Sequence, residues 1–436
     1  MDTRDTRPLL SRRSRRGSDA VTLADAGLRT GASLIVRRET EGRIMRLARA
    51  LSGTVAALSS LLLVADASGA VAAGTKTVKI GLLASLSGYV ASYGTDERDG
   101  ALLAINEINK SNAIPGVTLQ PIVLDDKGDP TAAVEAAQQA IDQGAIAILG
   151  PTTTAGTAAL ASIATARQVP DISFGLLPVA PHAKPPAYAY SLSIEPNDEA
   201  VGDLDAALAG KNVKTIALIY DSNAYGQSIS DGIKREAAAK GIRTVASEAF
   251  KSTSTDMTPQ LTAIRSAKPD AIIDVGGGTT PGLIARQMYE LGMHQKLVIS
   301  AVSFGIGAVK FAQIAGPNAL SNVRHTAFAE EVWNTLPKAD PRYAKLQAVI
   351  PAFRKAYGHD PNGYGAAAAY DAAWVLADAI KRADSVDSKK IQAALDQTKY
   401  QGTLCLAQFS PDSHSACHSD SLVVSKLAGG KLVYGD

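Results

Sequence analysis

From residue 76 to about 300 the chain alternates two hydrophobic patterns. Short apolar runs, rich in Val, Ile and Leu and bounded by small or polar residues, predict strands. Longer segments with apolar residues every three to four positions predict amphipathic helices. The first block predicts strands near 78–83, 117–124, 145–149 and 169–173, with helices near 97–109, 131–142 and 156–166. A second block starts near Pro196. It predicts strands near 215–220, 243–249, 271–274 and 297–299, and helices near 225–239, 258–266 and 280–291. This repeated strand–helix order demands parallel sheets, so the fold class is α/β. Ligands of such sheets bind outside the carboxyl ends of the strands. In the first block those ends carry Ser85, Ser87 and Thr152 to Thr154. From about Ala339 the pattern becomes almost all helical, near 344–357, 365–382 and 389–397. Helices without strands must pack on a sheet already made.

Composition refines this picture at the N-terminus. The chain has 436 residues, enough for two or three domains, and a formal net charge of +2. Removing the twelve Arg and seven acidic residues of 1–73 leaves 32 basic against 35 acidic residues, a net −3. A mildly acidic body gives no footprint for a nucleic acid. Arg43, Arg46 and Arg49 precede the apolar run Leu51 to Val64, and small residues follow to Ala73. That is the layout of an export signal over 45–73, and the run is short for a membrane anchor. No Cys sits at the cleavage zone, so no lipid anchor is expected. Residues 1–44 are Arg-rich without apolar period and are expected to be disordered.

Cys405 and Cys417 are the two cysteines. In an exported chain an even pair suggests a disulfide, here across the turn-like Phe409–Ser413; the alternative is two buried thiols. No metal-ligand spacing occurs, and no P-loop, HExxH, G-x-S-x-G or G-x-G-x-x-G is present. Neither an enzyme nor a cofactor is expected. A sensor ectodomain would need a membrane helix after the domain, and none precedes Asp436.

Several motifs occur in a telling order: Gly81 with Leu86-Ser87-Gly88, then Tyr93-Gly94, then Gly100-Ala101 with Ile105 and Ile108-Asn109. Asp125-Asp126, Asp129-Pro130 and Gly150 with its hydroxyl residues follow, and Tyr220-Asp221 with Tyr225-Gly226 lies further on. This order resembles the type I periplasmic substrate-binding proteins, in particular the leucine/isoleucine/valine-binding branch that feeds ABC transporters. The resemblance runs from Lys76 to the C-terminus. It implies two lobes, each a parallel open sheet flanked by helices, with three crossings near Ser193–Glu195, His325–Ala327 and Tyr400–Gly402. Lobe one would then be 76–194 and 326–400, and lobe two 195–325 with a C-terminal hairpin at 401–436. It also implies a monomer in the periplasm that binds a small molecule and hands it to ABC permease subunits.

The resemblance carries a site with it. Thr154 falls on the position whose hydroxyl binds the ligand carboxylate, beside Thr153 and the amides of Ala155-Gly156; the alternative is that Thr154 only caps its helix. Ser85 and Ser87 lie at the neighbouring strand end. Leu176 and Leu177 replace a polar anchor with two apolar side chains that serve the pocket or the core. Tyr225 corresponds to an aromatic cover from lobe two, while Tyr93 and Tyr89 fall at the mouth of lobe one. Two departures stand out. Ala301–Ile306 contains no carboxylate for a ligand ammonium, and Gly276–Thr279 contains no aromatic residue. The expected ligand is therefore an apolar or aromatic carboxylate, walled by Leu176, Leu177 and Phe304. A branched-chain amino acid held by an atypical ammonium site is the alternative.

Overall fold

The computed structural model describes residues 75–180, 183–210, 212–303 and 305–435. The expected extension (1–44), the expected export signal (45–73) and Phe304 lie outside them. The chain opens with β1 (Lys76–Ala84), α1 (Ala91–Ser111), β2 (Val117–Asp125), α2 (Pro130–Asp142), β3 (Ala145–Leu149), α3 (Thr154–Arg167), β4 (Asp171–Ser173) and β5 (Ala189–Ile194). It continues with α4 (Pro196–Leu208), β6 (Thr215–Asp221), α5 (Ala224–Ala239), β7 (Arg243–Phe250), α6 (Thr258–Ala267), β8 (Ala271–Val275), α7 (Thr280–Glu290), β9 (Lys296–Ile299), α8 (Gly307–Ala315) and β10 (Val323–Phe328). Then follow α9 (Tyr343–Tyr357), α10 (Gly365–Ala383), α11 (Ser388–Leu395), β11 (Lys399–Gln401), β12 (Leu406–Gln408), β13 (Ser415–Cys417), β14 (Leu422–Ala428) and β15 (Lys431–Tyr434).

Two sheets organise these elements. The first has the order β13-β5-β4-β3-β1-β2 and is parallel throughout. The second has the order β15-β14-β10-β9-β8-β6-β7, with β14 and β15 antiparallel to their neighbours. Helices cover the strands, which is why β1, β6 and β8 read as near-continuous apolar runs rather than alternating ones. Registers such as Leu82 opposite Leu149 and Leu83 opposite Leu124 bring the carboxyl ends of β1, β2 and β3 to one edge.

The chain passes between the sheets three times: from β5 to α4, from β10 back to α10, and from β13 to β14. The last passage differs from expectation. β13 pairs in parallel with β5, so the segment after residue 401 stays with the first sheet until Cys417, and only β14 and β15 form the hairpin on the second. Near the middle passage β10 runs to Phe328 in the second sheet. α9 then meets both lobes: Leu346 and Ile350 pack with Ile272 and Leu297, while the Tyr357 hydroxyl donates to the Asp99 carbonyl in α1 at 2.9 Å. α10 lies along α1 in the first lobe.

Cys405 and Cys417 are joined by a disulfide with a Cα–Cα distance of 5.7 Å, which removes the two-thiol alternative. It ties the segment before β12 to an edge strand of the first sheet and does not staple the terminal hairpin. Asp371 on α10 fixes the same segment from below. Its carboxylate accepts hydrogen bonds from Thr403 N (2.9 Å), Thr403 Oγ1 (3.0 Å) and Leu404 N (2.7 Å).

Candidate functional site

A cleft between the two sheets holds a small cavity of about 70 Å³. The first lobe contributes Tyr89, Val90, Tyr93, Glu97, Thr152 to Ala155, Gly175, Leu176 and Tyr364 to its walls. The second contributes Asn223 to Tyr225, Gly276, Gly277 and Val302.

The start of α3 sets the polar end. Thr153 is the helix N-cap, and its side chain accepts from Gly156 N at 3.1 Å. The capping role therefore belongs to Thr153 and not to Thr154. Thr154 is the first helical residue, only 6% exposed, and its hydroxyl has no partner among the described residues. The amides of Thr154 and Ala155 have no acceptor within the helix, because the first turn has no preceding carbonyls. Gly175 lets this turn come close: a Cβ there would lie 2.5 Å from the Thr153 carbonyl carbon and 2.7 Å from Thr154 N. From the other lobe the start of α5 faces the same cavity, capped by Asn223 through Gly226 N at 2.9 Å. Two helix N-termini, each with partial positive charge, thus meet the cleft from opposite sides.

Aromatic rings form much of the remainder. Tyr93 and Tyr364 stand edge to face with ring centres 6.3 Å apart. Tyr93 spans the cleft: its hydroxyl donates to the Val302 carbonyl (2.7 Å) and accepts from Gly305 N (2.5 Å). Gly305 is required here, since a Cβ on it would fall 1.5 Å from Tyr93 Cζ. The Tyr225 hydroxyl is engaged beneath the cleft floor, 2.8 Å from Glu199 Oε1, 3.0 Å from Ser300 Oγ and 3.3 Å from Ser303 Oγ. This leaves its ring as the surface offered to the cavity. Glu199 and Asp203 below it share the Ser300 hydroxyl. Burial pushes both carboxyls up, and for Asp203 the charge of Glu199 adds to the effect.

The expected residues divide. Tyr93, Thr153, Thr154, Leu176 and Tyr225 line the cavity together with Tyr89. Ser85 is fully buried and lies outside it; its hydroxyl donates to Asp126. Ser87 is exposed and donates to Asp125 at 2.7 Å. Both serines order the loops after β1 and β2 and do not reach the cleft. Leu177 packs in a separate small cluster with Ala161 and Ala189. Tyr364, Gly276, Gly277 and Val302 were not foreseen as walls. The two glycines give a bare surface where an aromatic residue was missed, and Tyr364 supplies a ring from the other lobe.

Glu97 was also not foreseen, although its spacing from Tyr93 is one helical turn and places both on one face of α1. It is 1% exposed, and one oxygen accepts from Thr152 Oγ1 at 2.5 Å. Burial pushes its carboxyl well above the usual range; the Thr152 hydrogen bond opposes this, and the charges of Asp126 and Asp96 add to it. Among the described residues lining the cavity it is the sole carboxyl, and none is Lys, Arg or His.

Residues 77–430 match a family model described as periplasmic binding protein. The chain is 28% identical over 338 residues to the leucine-, isoleucine-, valine-, threonine- and alanine-binding protein of Pseudomonas aeruginosa, covering 74% of this chain and 83% of that one. It is 31% identical over 228 residues to the Leu/Ile/Val-binding protein BraC3 of Rhizobium johnstonii, covering 51% and 60% of the two chains. Its structure is similar to that of the branched-chain amino acid transporter substrate-binding protein LivJ of Streptococcus pneumoniae in complex with isoleucine. There the TM-score is 0.70 at 26% identity, over 82% of this chain and 98% of that one. An extracellular ligand-binding receptor of Rhodopseudomonas palustris superposes with a TM-score of 0.74 at 23% identity, over 83% of this chain and 100% of that one, and shares the fold.

Proposed function

This chain belongs to the periplasmic binding protein family, and on that premise we propose that it captures a compact ligand with a carboxylate and an apolar body and delivers it to an ABC importer. The observation that carries the reading is the Thr154 hydroxyl, which lines the interlobe cleft without a partner among the described residues and sits beside two open amides of α3. Such a helix start is a ready anion site. Behind it, Leu176, Val302 and the rings of Tyr89, Tyr93, Tyr225 and Tyr364 suit an apolar body. The named ligands of the Pseudomonas relative are all α-amino acids and so carry a carboxylate.

Ligand binding would pull the lobes together, because residues on both sides of the cleft meet one small molecule. Delivery is supported by the likeness to a transporter substrate-binding protein: a closed, loaded protein is the form that a permease pair would recognise. The test is mass spectrometry of ligand that co-purifies with the protein, followed by calorimetric titration. A co-purified or titrated ligand lacking any carboxylate would overturn the reading. A strain lacking the gene is expected to lose uptake of the identified ligand.

A further inference from the structure

We propose that Glu199 and Asp203 share one proton beneath the cleft floor, and that closure of the lobes on the ligand takes this proton up, so that affinity falls as pH rises. The inference rests on the reading above only in that the ligand binds between the lobes.

The proton follows from a count of hydrogens. Both carboxyls lie on one face of α4, one turn apart, and are fully buried, as is Ser300. Ser300 Oγ is within hydrogen-bond reach of Asp203 Oδ2 and of Glu199 Oε1, the latter at 2.8 Å. A hydroxyl has one proton, and an ionised carboxylate only accepts. Two ionised carboxylates would leave one of these contacts with no hydrogen in it, so one carboxyl must carry a proton. Glu199 Oε1 also accepts from the Tyr225 hydroxyl at 2.8 Å and from Val302 N at 3.1 Å. Three donors on one oxygen mark Glu199 as the charged member. The proton then sits on Asp203, which donates to Ser300 as Ser300 donates to Glu199. The remaining oxygens, Glu199 Oε2 and Asp203 Oδ1, are buried with no hydrogen-bond partner among the described residues. A second negative charge there would be left unsolvated.

The titratable groups facing the pair are His325 of β10, Tyr225 of α5, and Tyr93 and Tyr364 of the first lobe. His325 is the basic one, and its Nε2 lies 3.1 Å from Glu331 Oε1, which offsets its charge. For Asp203, burial and the Glu199 charge push the carboxyl well up, against the Ser300 and Thr326 hydroxyls and the Ala301 amide. The pair reaches the ligand through two wall residues. Tyr225 offers its ring to the cavity while its hydroxyl rests on Glu199. Val302 holds Glu199 with its amide and Tyr93 with its carbonyl. Glu199 is thus a positioning residue that acts through Tyr225 and Val302. When the lobes part, water replaces the first-lobe phenols and favours the ionised pair; when they close, the pair is sealed and keeps its proton. Its apparent pKa is therefore higher in the closed form, and it belongs to the pair rather than to either residue. Below the open-form value both forms carry the proton and affinity is constant. Between the two values closure takes up a proton, and affinity falls about tenfold per pH unit. Above the closed-form value it levels off.

Carbon-13 NMR of protein labelled at its Asp and Glu carboxyls reads the proton directly. Wild type should show a protonated Asp resonance at neutral pH that is missing from Asp203→Asn. L-leucine and 4-methylpentanoate are then titrated calorimetrically between about pH 5 and 9, where raised carboxyls ionise, in buffers of different ionisation enthalpy. Wild type should take up protons on binding and lose affinity by about tenfold or more across the range. Asp203→Asn keeps a donor for Ser300 but no titrating proton. It should bind within a few-fold of wild type at the acid end, with neither pH dependence nor proton uptake. Glu199→Gln keeps an acceptor for Tyr225 and Val302 but removes the charge that raises Asp203, so its fall in affinity should begin at lower pH. Circular dichroism and melting show whether each variant is folded. An Asp203 carboxyl that is ionised at neutral pH in the bound protein overturns the proposal. So does a pH dependence that is the same in wild type and in a folded Asp203→Asn. If neither variant folds, a wild type that binds a probe with no proton uptake at any pH overturns it. Binding of neither probe overturns the carboxylate reading of the ligand. The shared proton is then decided by the spectra, where an Asp203 that titrates in the ordinary Asp range overturns it.

Discussion

The Tyr93 hydroxyl joins the lobes by two hydrogen bonds, to the Val302 carbonyl at 2.7 Å and from Gly305 N at 2.5 Å, and both partners belong to the second lobe. In an opened cleft all three groups would meet water. These bonds therefore count toward closure and hardly toward folding. Tyr93→Phe removes both and keeps the ring against Tyr364. At a net ~0.5–1.5 kcal/mol per hydrogen bond, the closed state should lose about 1–3 kcal/mol relative to the open one. That shifts the closed-to-open ratio by roughly 5- to 150-fold. A ligand gripped only by the closed form then binds more weakly by up to the same factor. Gly305→Ala is the harsher version, because its Cβ would sit 1.5 Å from Tyr93 Cζ and the ring is too enclosed to step aside. Calorimetry gives the affinity, small-angle scattering the radius of gyration with and without ligand, and thermal melting shows that the fold is intact. A Tyr93→Phe protein with wild-type affinity and a wild-type scattering profile in both states would refute the reasoning.

Three further outcomes are expected. Thr154→Ala should weaken ligand binding by about 1–3 kcal/mol, the scale for a lost hydrogen bond to a charged group, without lowering the melting temperature in the absence of ligand; calorimetry and a melting curve check both halves. Reducing the Cys405–Cys417 bridge, which closes a loop with a sequence separation of 12, should lower unfolding free energy by about 3 kcal/mol in the chain-entropy account. Denaturant curves with and without reductant measure it, and coincident curves would exclude a stabilising role. Stability should fall as pH rises from about 4 to 6. Burial pushes the carboxyls of Asp371 and Asp96 up to about 6, so the folded chain keeps protons that the unfolded chain has released. Their contribution is full below the unfolded value and is lost through this window, on the order of 3 kcal/mol for Asp371 alone. His414, whose pKa burial lowers, works in the opposite direction as pH falls. A urea midpoint higher at pH 7 than at pH 5 would contradict the expectation.

The strands and helices legible in the sequence are those whose burial is purely apolar. β1, β3, β6 and β8 are buried on both faces and present unbroken runs. β5 and α4 were obscured because polar groups occupy buried positions there. Ser191 in β5 donates to the Gly175 carbonyl, and Glu199 and Asp203 in α4 point into the interior and break the apolar period. β13 is three residues long and shows no period at all; its place depends on pairing with β5, more than two hundred residues earlier. In the cleft, Thr154 was reached through the family resemblance, which placed it among the hydroxyl residues after Gly150, and it lines the cavity. Leu176 and Leu177 are identical in type, and only the turn of the chain sends one to the cavity and the other to a small cluster with Ala161 and Ala189. Glu97 left a readable trace, one turn from Tyr93. Tyr364 left none, because its approach to Tyr93 depends on the long return of α10 onto α1.

The final passage between sheets sets a timetable for biogenesis. As the chain emerges N-terminus first, β1 to β5 can assemble early, yet the edge of β5 waits for β13, which arrives some twenty residues before the end. Until then the nascent lobe displays an unpaired strand edge, a template for association with other chains. Cys405 and Cys417 arrive in the same late interval, so oxidation cannot lock an incomplete sheet and acts only once the missing edge is present. A holding chaperone would be needed longest for this one exposed margin, and truncation of even the last few dozen residues would leave both lobes unfinished rather than one.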